Sequence, residues 1–171
     1  VGIAVAVRDW SGYYPVAHEG GGNMDKSMVM KWFQDVLNTE TTKIFHNAMY
    51  DVCFIRAAGL KIFGKIVDTM IAGSLVDENR FRYDLGSLGR DYVGRGKNEA
   101  VLAETAKEWG IDAKSEMYKL PAMYVGAYAE ADAQLTLDLW QEMKKEIINQ
   151  DIEDIFKLET ELFPCLVDMR F

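Results

Sequence analysis

Positive charge is the scarce ingredient of this chain. Lysine and arginine number 19 against 27 aspartates and glutamates, a net charge of −8. A passive nucleic-acid-binding surface is basic, so the chain as a whole argues against one. An enzyme that gathers carboxylates around metal ions is not excluded, because such a site is itself acidic. Cysteine is nearly absent. Cys53 and Cys165 lie far apart in apolar surroundings and read as reduced core residues rather than a bridge, which suits a cytoplasmic protein. The two histidines, His18 and His46, are too few for a histidine-rich metal site, and no Cys/His cluster has zinc-ligand spacing. No apolar run reaches the ~20 residues of a membrane span, so no membrane partner is expected. No basic segment followed by an apolar one marks a signal peptide. The first residue is Val1 rather than Met, so that last absence weighs little.

What is present is enough for one globular domain. The 171 residues are 49% hydrophobic and 27% charged. "VGIAVAVRD" is β-branched and continuous and reads as a buried strand, with "GYYPVAH" as its hairpin partner and "WSG" at the turn. "MDKSMVMKWFQDVLN" has helical period. "KIFH" and "KIVD" read as short strands, each followed by a helix, the first of them ended by Gly59. Helices are expected near "YDLGSLGRDYV" and "NEAVLAETAKEWG". A loop then leads to Pro121, which opens a long helix to about Gln150. The last segment, from Asp151, is helical and stops in mid-pattern at Phe171. Strands and helices mix as α/β around one sheet. There is no internal repeat and no low-complexity linker.

Two constellations could carry chemistry. One is Asn47-x-x-Tyr50-Asp51 at a strand-to-helix corner; the other is Tyr128-x-x-x-Asp132, one turn apart on a face of the long helix. Each has a bland reading. Asn47 is a good N-cap, and Asp51 is then a first-turn acid favoured by the helix dipole. Tyr-x-x-x-Asp alone is a chance-level match. The helix around Asp132 is apolar on several sides (Val125, Ala127, Ala131, Leu135, Leu139), which turns Tyr128 and Asp132 toward protein. A carboxylate placed there needs compensation. No Lys or Arg lies within a turn of it, so a divalent ion shared with a second acid is the expected answer.

"HNAMYD" and "YAEAD" resemble the second and third motifs of the DnaQ-like 3′–5′ exonucleases in their tyrosine-bearing (DEDDy) form. "VDTMIAGSLVDEN", "YDLGSLGRDYVG" and the closing "LETELFPCLVDMRF" resemble segments of the proofreading domain of family A DNA polymerases, so the resemblance covers nearly the whole chain. It implies a ribonuclease H-like fold, with a mixed central sheet flanked by helices. It divides the chain into an exonuclease-like domain over 1–150 and, over 151–171, the helical start of a connection to a polymerase domain. It also implies two divalent ions, Mg²⁺ or Mn²⁺, about 4 Å apart across the 3′-terminal phosphodiester. Asp132 would ligate the nucleophile-bearing ion and Asp51 the second. Tyr128 would orient the attacking water, and Asn47 and Tyr50 would line the cleft. The implied substrate is the 3′ end of single-stranded DNA, released as nucleoside monophosphates. Arg80, Arg82, Arg95 and Lys97 are the candidates for phosphate contact, with an ordinary solvated loop as the alternative. Asp68 opens "DTMIA", where the family carries an acid, and a helix cap is its other reading.

One departure matters. The family's first motif, Asp-x-Glu on the first strand, supplies two of its four metal-binding carboxylates, and no early strand here carries it. The expectation is that this chain begins just downstream of that strand; a degenerate exonuclease is the competing explanation. With two of four carboxylates, the ions are expected to bind weakly or not at all, and the chain alone to show little nuclease activity. An exoribonuclease of the RNase D type and a non-catalytic scaffold are the alternative functions.

Overall fold

The computed structural model describes residues 1–171, which form two compact units: Val1–Phe33 with Lys97–Leu137, and Gln34–Gly96 with Asp138–Phe171. The first unit opens with a hairpin of β1 (Gly2–Val7) and β2 (Trp10–Pro15), paired antiparallel from Gly2↔Pro15 to Val7↔Trp10. That register leaves Arg8 and Asp9 as the turn. Trp10, Ser11 and Gly12 belong to the strand rather than the turn expected there, because polarity alone does not fix where pairing begins. β1 is half-buried along most of its length, not buried, since its only hydrogen-bonded neighbour is β2. The unit also holds the start of α1 (Lys26–Leu37), α5 (Ala100–Glu108) and the first half of α6 (Ala122–Asn149). Leu102, Leu120 and Val125 form its core, with Tyr13, Ile111, Met117 and Tyr128 packed against them.

The glycine-rich loop after β2 fastens the start of α6. Glu19 N–H donates to Tyr118 O (2.7 Å) and Ala122 N–H to Gly21 O (3.1 Å). A Cβ at Gly20 would lie 2.3 Å from Pro121 N, so only glycine allows this approach. His18, 3% exposed, completes the clasp. Its Nδ1 lies 2.9 Å from Leu120 O and its Nε2 2.6 Å from the Tyr13 hydroxyl. Since a carbonyl only accepts, Nδ1–H donates to Leu120 and Nε2 accepts from Tyr13.

The second unit is built on β3 (Lys43–Phe45) and β4 (Ile66–Asp68), paired in parallel with Phe45 opposite Asp68. Around them lie α2 (Ala48–Ala57), α3 (Thr69–Val76), α4 (Leu85–Leu88) running into a π-helical turn at Gly89–Val93, the second half of α6, and α7 (Glu153–Arg170). Gly59 takes positive φ (79°) just past α2 and stops it as expected. Ala48, Val52, Phe163 and Val167 form the core, joined by Phe45 and Ile66. The α/β class stands. The expected single sheet is instead two two-stranded sheets, β1–β2 and β3–β4, because counting strand-like runs does not say which runs pair. Cys53 is half-buried, but Cys165 is exposed on α7 rather than in the core. No helix is long and apolar enough to cross a membrane.

Candidate active site

The corner between β3 and α2 lies in the second unit. Asn47 sits there in the left-handed region (φ 60°, ψ 58°), which asparagine tolerates better than most residues. It occupies the N-cap position, yet its side chain makes no capping hydrogen bond. The capping is done from β4. Asp68 Oδ1 accepts from Asn47 N–H (3.0 Å) and Met70 N–H (2.9 Å), and Oδ2 accepts from Ala48 N–H (2.9 Å). One carboxylate, 6% exposed, thus closes the N-termini of both α2 and α3. This overturns the reading of Asn47 as the cap and gives Asp68 a structural task. Thr69 ties the same corner: its hydroxyl donates to Phe45 O (3.1 Å) and accepts from His46 Nδ1–H (2.8 Å).

Asp51 stands in the first turn of α2, half-buried. A helix dipole acting alone would lower its pKa. Its pKa is instead pushed up from 3.8 to about 6, by burial first and by the negative charge of Asp68 second. Burial and the charge of Asp68 together thus outweigh the helix dipole at this acid. Tyr50 and Phe54 are each 62% exposed, with ring centroids 4.8 Å apart, and form an aromatic pair on the open side of the helix.

Tyr128 and Asp132 lie in the first unit, on α6. Both are half-buried, although Ala127 and Ala131, two of the apolar neighbours that argued for it, are exposed. Burial raises the Tyr128 hydroxyl above its ordinary pKa, against a hydrogen bond from Lys97 that lowers it. Burial likewise raises Asp132, against the opposing charge of Lys97. The compensation for this buried acid, expected from a divalent ion, comes from Lys97. Its Nζ lies 3.1 Å from Asp132 Oδ2, 5.1 Å from the Tyr128 ring centroid and 3.6 Å from Glu99 Oε1. Burial works to lower the Lys97 pKa, but its hydrogen bond with Tyr128 and the charge of Asp132 outweigh it, and the net shift is upward.

The side chains of this chain do not by themselves fit a divalent ion. No group of three or more His, Cys, Asp or Glu is placed to hold one, Asp132 is engaged by an ammonium, and both oxygens of Asp68 are taken up by backbone N–H groups. The basic candidates for phosphate contact are all paired with acids. Arg80 meets Asp91 at 2.6 Å, Arg82 meets Asp84 at 3.1 Å, Arg95 meets Asp138, and Lys97 meets Asp132. Neither the partnership of Lys97 with Asp132 nor the double cap of Asp68 has a signal in linear spacing, because each joins residues from separate elements.

The chain is α/β, with an acid at a strand-to-helix corner and a Tyr/Asp pair on a long helix. A family model described as 3′-5′ exonuclease matches residues 3–148, and the chain belongs to that family, in the form carried by family A DNA polymerases. A DNA-directed DNA polymerase of Pseudomonas phage M6 is 34% identical over 99% of this chain and 26% of its own length. DNA polymerase DpoZ of Salmonella phage PMBT28 is 26% identical over 98% of this chain and 27% of its own length. DNA polymerase I of Chloroflexus aurantiacus is 26% identical over 99% of this chain and 18% of its own length. The chain thus spans about a quarter or less of the relatives it matches.

Proposed function

We propose that this chain is the proofreading segment of a DNA polymerase that trims the 3′ end of single-stranded DNA, with Asp51, Tyr128 and Asp132 as its catalytic residues. Asn47 and Tyr50 sit beside the terminal nucleotides in this reading. The observation that carries it is the Tyr128/Asp132 pair, half-buried and one turn apart on the long helix of an exonuclease-family chain. Tyr128 is a positioning group. Burial holds its hydroxyl above the ordinary value near 10, so at neutral pH it stays protonated and orients water rather than removing a proton. Asp51, with a pKa of about 6, is mostly ionised above pH 7. Asn47 has a side chain free of capping and held by left-handed backbone, and Tyr50 offers an open ring face for a base.

Divalent ions, Mg²⁺ or Mn²⁺, belong to this reading, with Asp51 and Asp132 as this chain's contribution to holding them. Because Asp132 is already matched by Lys97, we expect the 171-residue chain alone to bind them weakly and to degrade DNA little. Residues 1–150 are the exonuclease domain in this reading. Residues 151–171, mostly α7, start the connection to a polymerase domain, and the whole works in the cytoplasm of a bacterium or of a phage's host, a reading that the phage and bacterial relatives support. The test uses a 5′-labelled single strand with Mg²⁺ or Mn²⁺. In the gene product that contains this chain, Asp132→Ala and Asp51→Ala should each abolish 3′-end laddering, and Tyr128→Phe should slow it by about 10²-fold. Undiminished laddering in Asp132→Ala overturns the assignment.

A further inference from the structure

Phe81 is fully exposed on the segment between α3 and α4, and the molecule holds it there. The Tyr83 hydroxyl donates to Asp77 O (2.6 Å) and Arg80 Nε–H to Arg82 O (3.2 Å), so the backbone on both sides of the ring is tied. The Arg80 guanidinium meets Asp91 Oδ2 at 2.6 Å, lies over the Tyr92 ring and is only 16% exposed, which fastens the same segment to the π-helical turn after α4. A large apolar ring presented on a fixed backbone forgoes the burial that a looser segment would have found for it. Beside it lies an open depression of about 260 Å³, lined by Phe81, Arg80, Arg82, Ser87, Arg90 and Asp91.

Charge in this depression runs against the rest of the chain. Three arginines line it against one acid, in a molecule of net charge −8. Arg80 neutralises Asp91 and is spent on holding the segment. The other two arginines are available. Arg82 pairs with Asp84, but 75% and 46% of those side chains is exposed, and a pair so open to water separates at little cost. Arg90 has a hydroxyl rather than a carboxylate as its partner, donating to Ser87 Oγ at 3.3 Å. An open aromatic face beside two guanidinium groups suits a ligand that joins a flat ring to an anion, which is the chemistry of a base and its phosphate. We propose that Phe81 stacks on a base of single-stranded DNA while Arg90 and Arg82 take the adjoining phosphates, so that this segment grips the strand in addition to Asn47 and Tyr50. These residues act on how tightly the strand is held, not on the bond that is broken. The identity of the strand as DNA rests on the proposed function; the stacking face and the charge belong to this site alone.

The experiment is fluorescence anisotropy of a 5′-labelled oligothymidylate titrated with the chain in EDTA, where nothing is cleaved, over a series of salt concentrations. Phe81→Ala should weaken binding about tenfold and leave its salt dependence unchanged. Phe81→Trp keeps a stacking face and should bind at least as tightly as the parent. The Phe81→Ala loss should vanish on a strand that is abasic throughout, which offers phosphates but nothing to stack. Arg90→Gln should do the converse, lowering the slope of log Kd against log salt by about 0.7, while Arg90→Lys keeps the charge and the slope. Phe81 has no packing to lose, and circular dichroism checks that every variant folds. Binding by Phe81→Ala equal to the parent overturns the proposal. So does a loss that persists on the abasic strand, an unchanged salt slope in Arg90→Gln, or a parent chain that does not bind the strand. These outcomes are separate from the exonuclease reading: laddering that persists in Asp132→Ala gene product sinks that reading and leaves a strand held through Phe81 standing.

Discussion

At the scale of single residues, the two acids of the β3–α2 corner do opposite things to stability. Asp68 is fully satisfied, with three backbone N–H groups on its two oxygens, and no water reaches it easily. Asp68→Ala strands all three donors and should cost about 2–4 kcal/mol, whereas Asp68→Asn keeps one acceptor oxygen and should cost about half as much. Urea denaturation of both variants checks the order, and equal costs would contradict it. Asp51 is the reverse case. Its folded pKa, about 6, lies above its ordinary 3.8, so the folded state binds more protons than the unfolded one across that interval. Stability from this group is therefore present at low pH and lost as pH rises through about 4 to 6. Asp51→Asn carries no charge to strand, and should be more stable than the parent by about 1–3 kcal/mol at pH 7.5, with the gain fading near pH 4. A variant less stable than the parent at pH 7.5 would show that Asp51 is not held at a cost. The sequence displayed both acids in plain view. It could not rank them, because the deciding quantity is which backbone amides lie within about 3 Å, and those belong to the first turns of two separate helices.

At the scale of elements, the helix bearing Tyr128 and Asp132 is only as well placed as its first turn. That turn is fixed by the loop through Glu19, Gly21 and His18. His18 must be neutral to do this: Nε2 accepts the Tyr13 proton, and a protonated ring has no acceptor left. Burial accordingly lowers its pKa below 6.5, with the N-terminal charge a lesser contributor and the bond to Leu120 opposing. For a histidine held neutral, the stability is complete above the ordinary 6.5 and is lost as pH falls below it. Hydrogen exchange at the start of α6 should thus speed up on acidification from pH 7 to 5, and Tyr13→Phe should make it fast at both. Protection that is unchanged between those pH values would remove His18 from the clasp. This arrangement shows where sequence reading succeeds and stops. Helix α6 was legible from Pro121 and its apolar period, and α2 from its terminating glycine, because those signals are local. Linear order does not show that strand pairing begins at Trp10, that the strands form two sheets, or that Lys97 meets Asp132. Each of those depends on which distant segment arrives as a neighbour, and neither period nor propensity contains that.

At the scale of the whole molecule, α7 carries two apolar faces and buries one. Phe156, Phe163 and Val167 are inside. Ile155, Leu158, Leu162, Leu166 and Met169 are 41–79% exposed and repeat at intervals of three and four, which puts them within about 80° of each other around the helix. A contiguous apolar stripe of this kind draws another surface to it. In the reading proposed here, that surface is the polymerase domain to which α7 connects. In the isolated chain the stripe meets only other copies, and the net charge of −8 opposes their approach. The balance is therefore set by salt. At 50 mM NaCl repulsion acts over roughly 14 Å, and at 500 mM over roughly 4 Å, so association should appear only when the long-range term is screened. Sedimentation equilibrium of the chain should show a monomer in low salt and reversible self-association in high salt. Leu158→Glu/Leu166→Glu should keep it monomeric in both without altering its melting temperature, since neither side chain is part of the core. Association of the double variant in high salt would place the sticky surface elsewhere and leave α7 as an ordinary solvated helix.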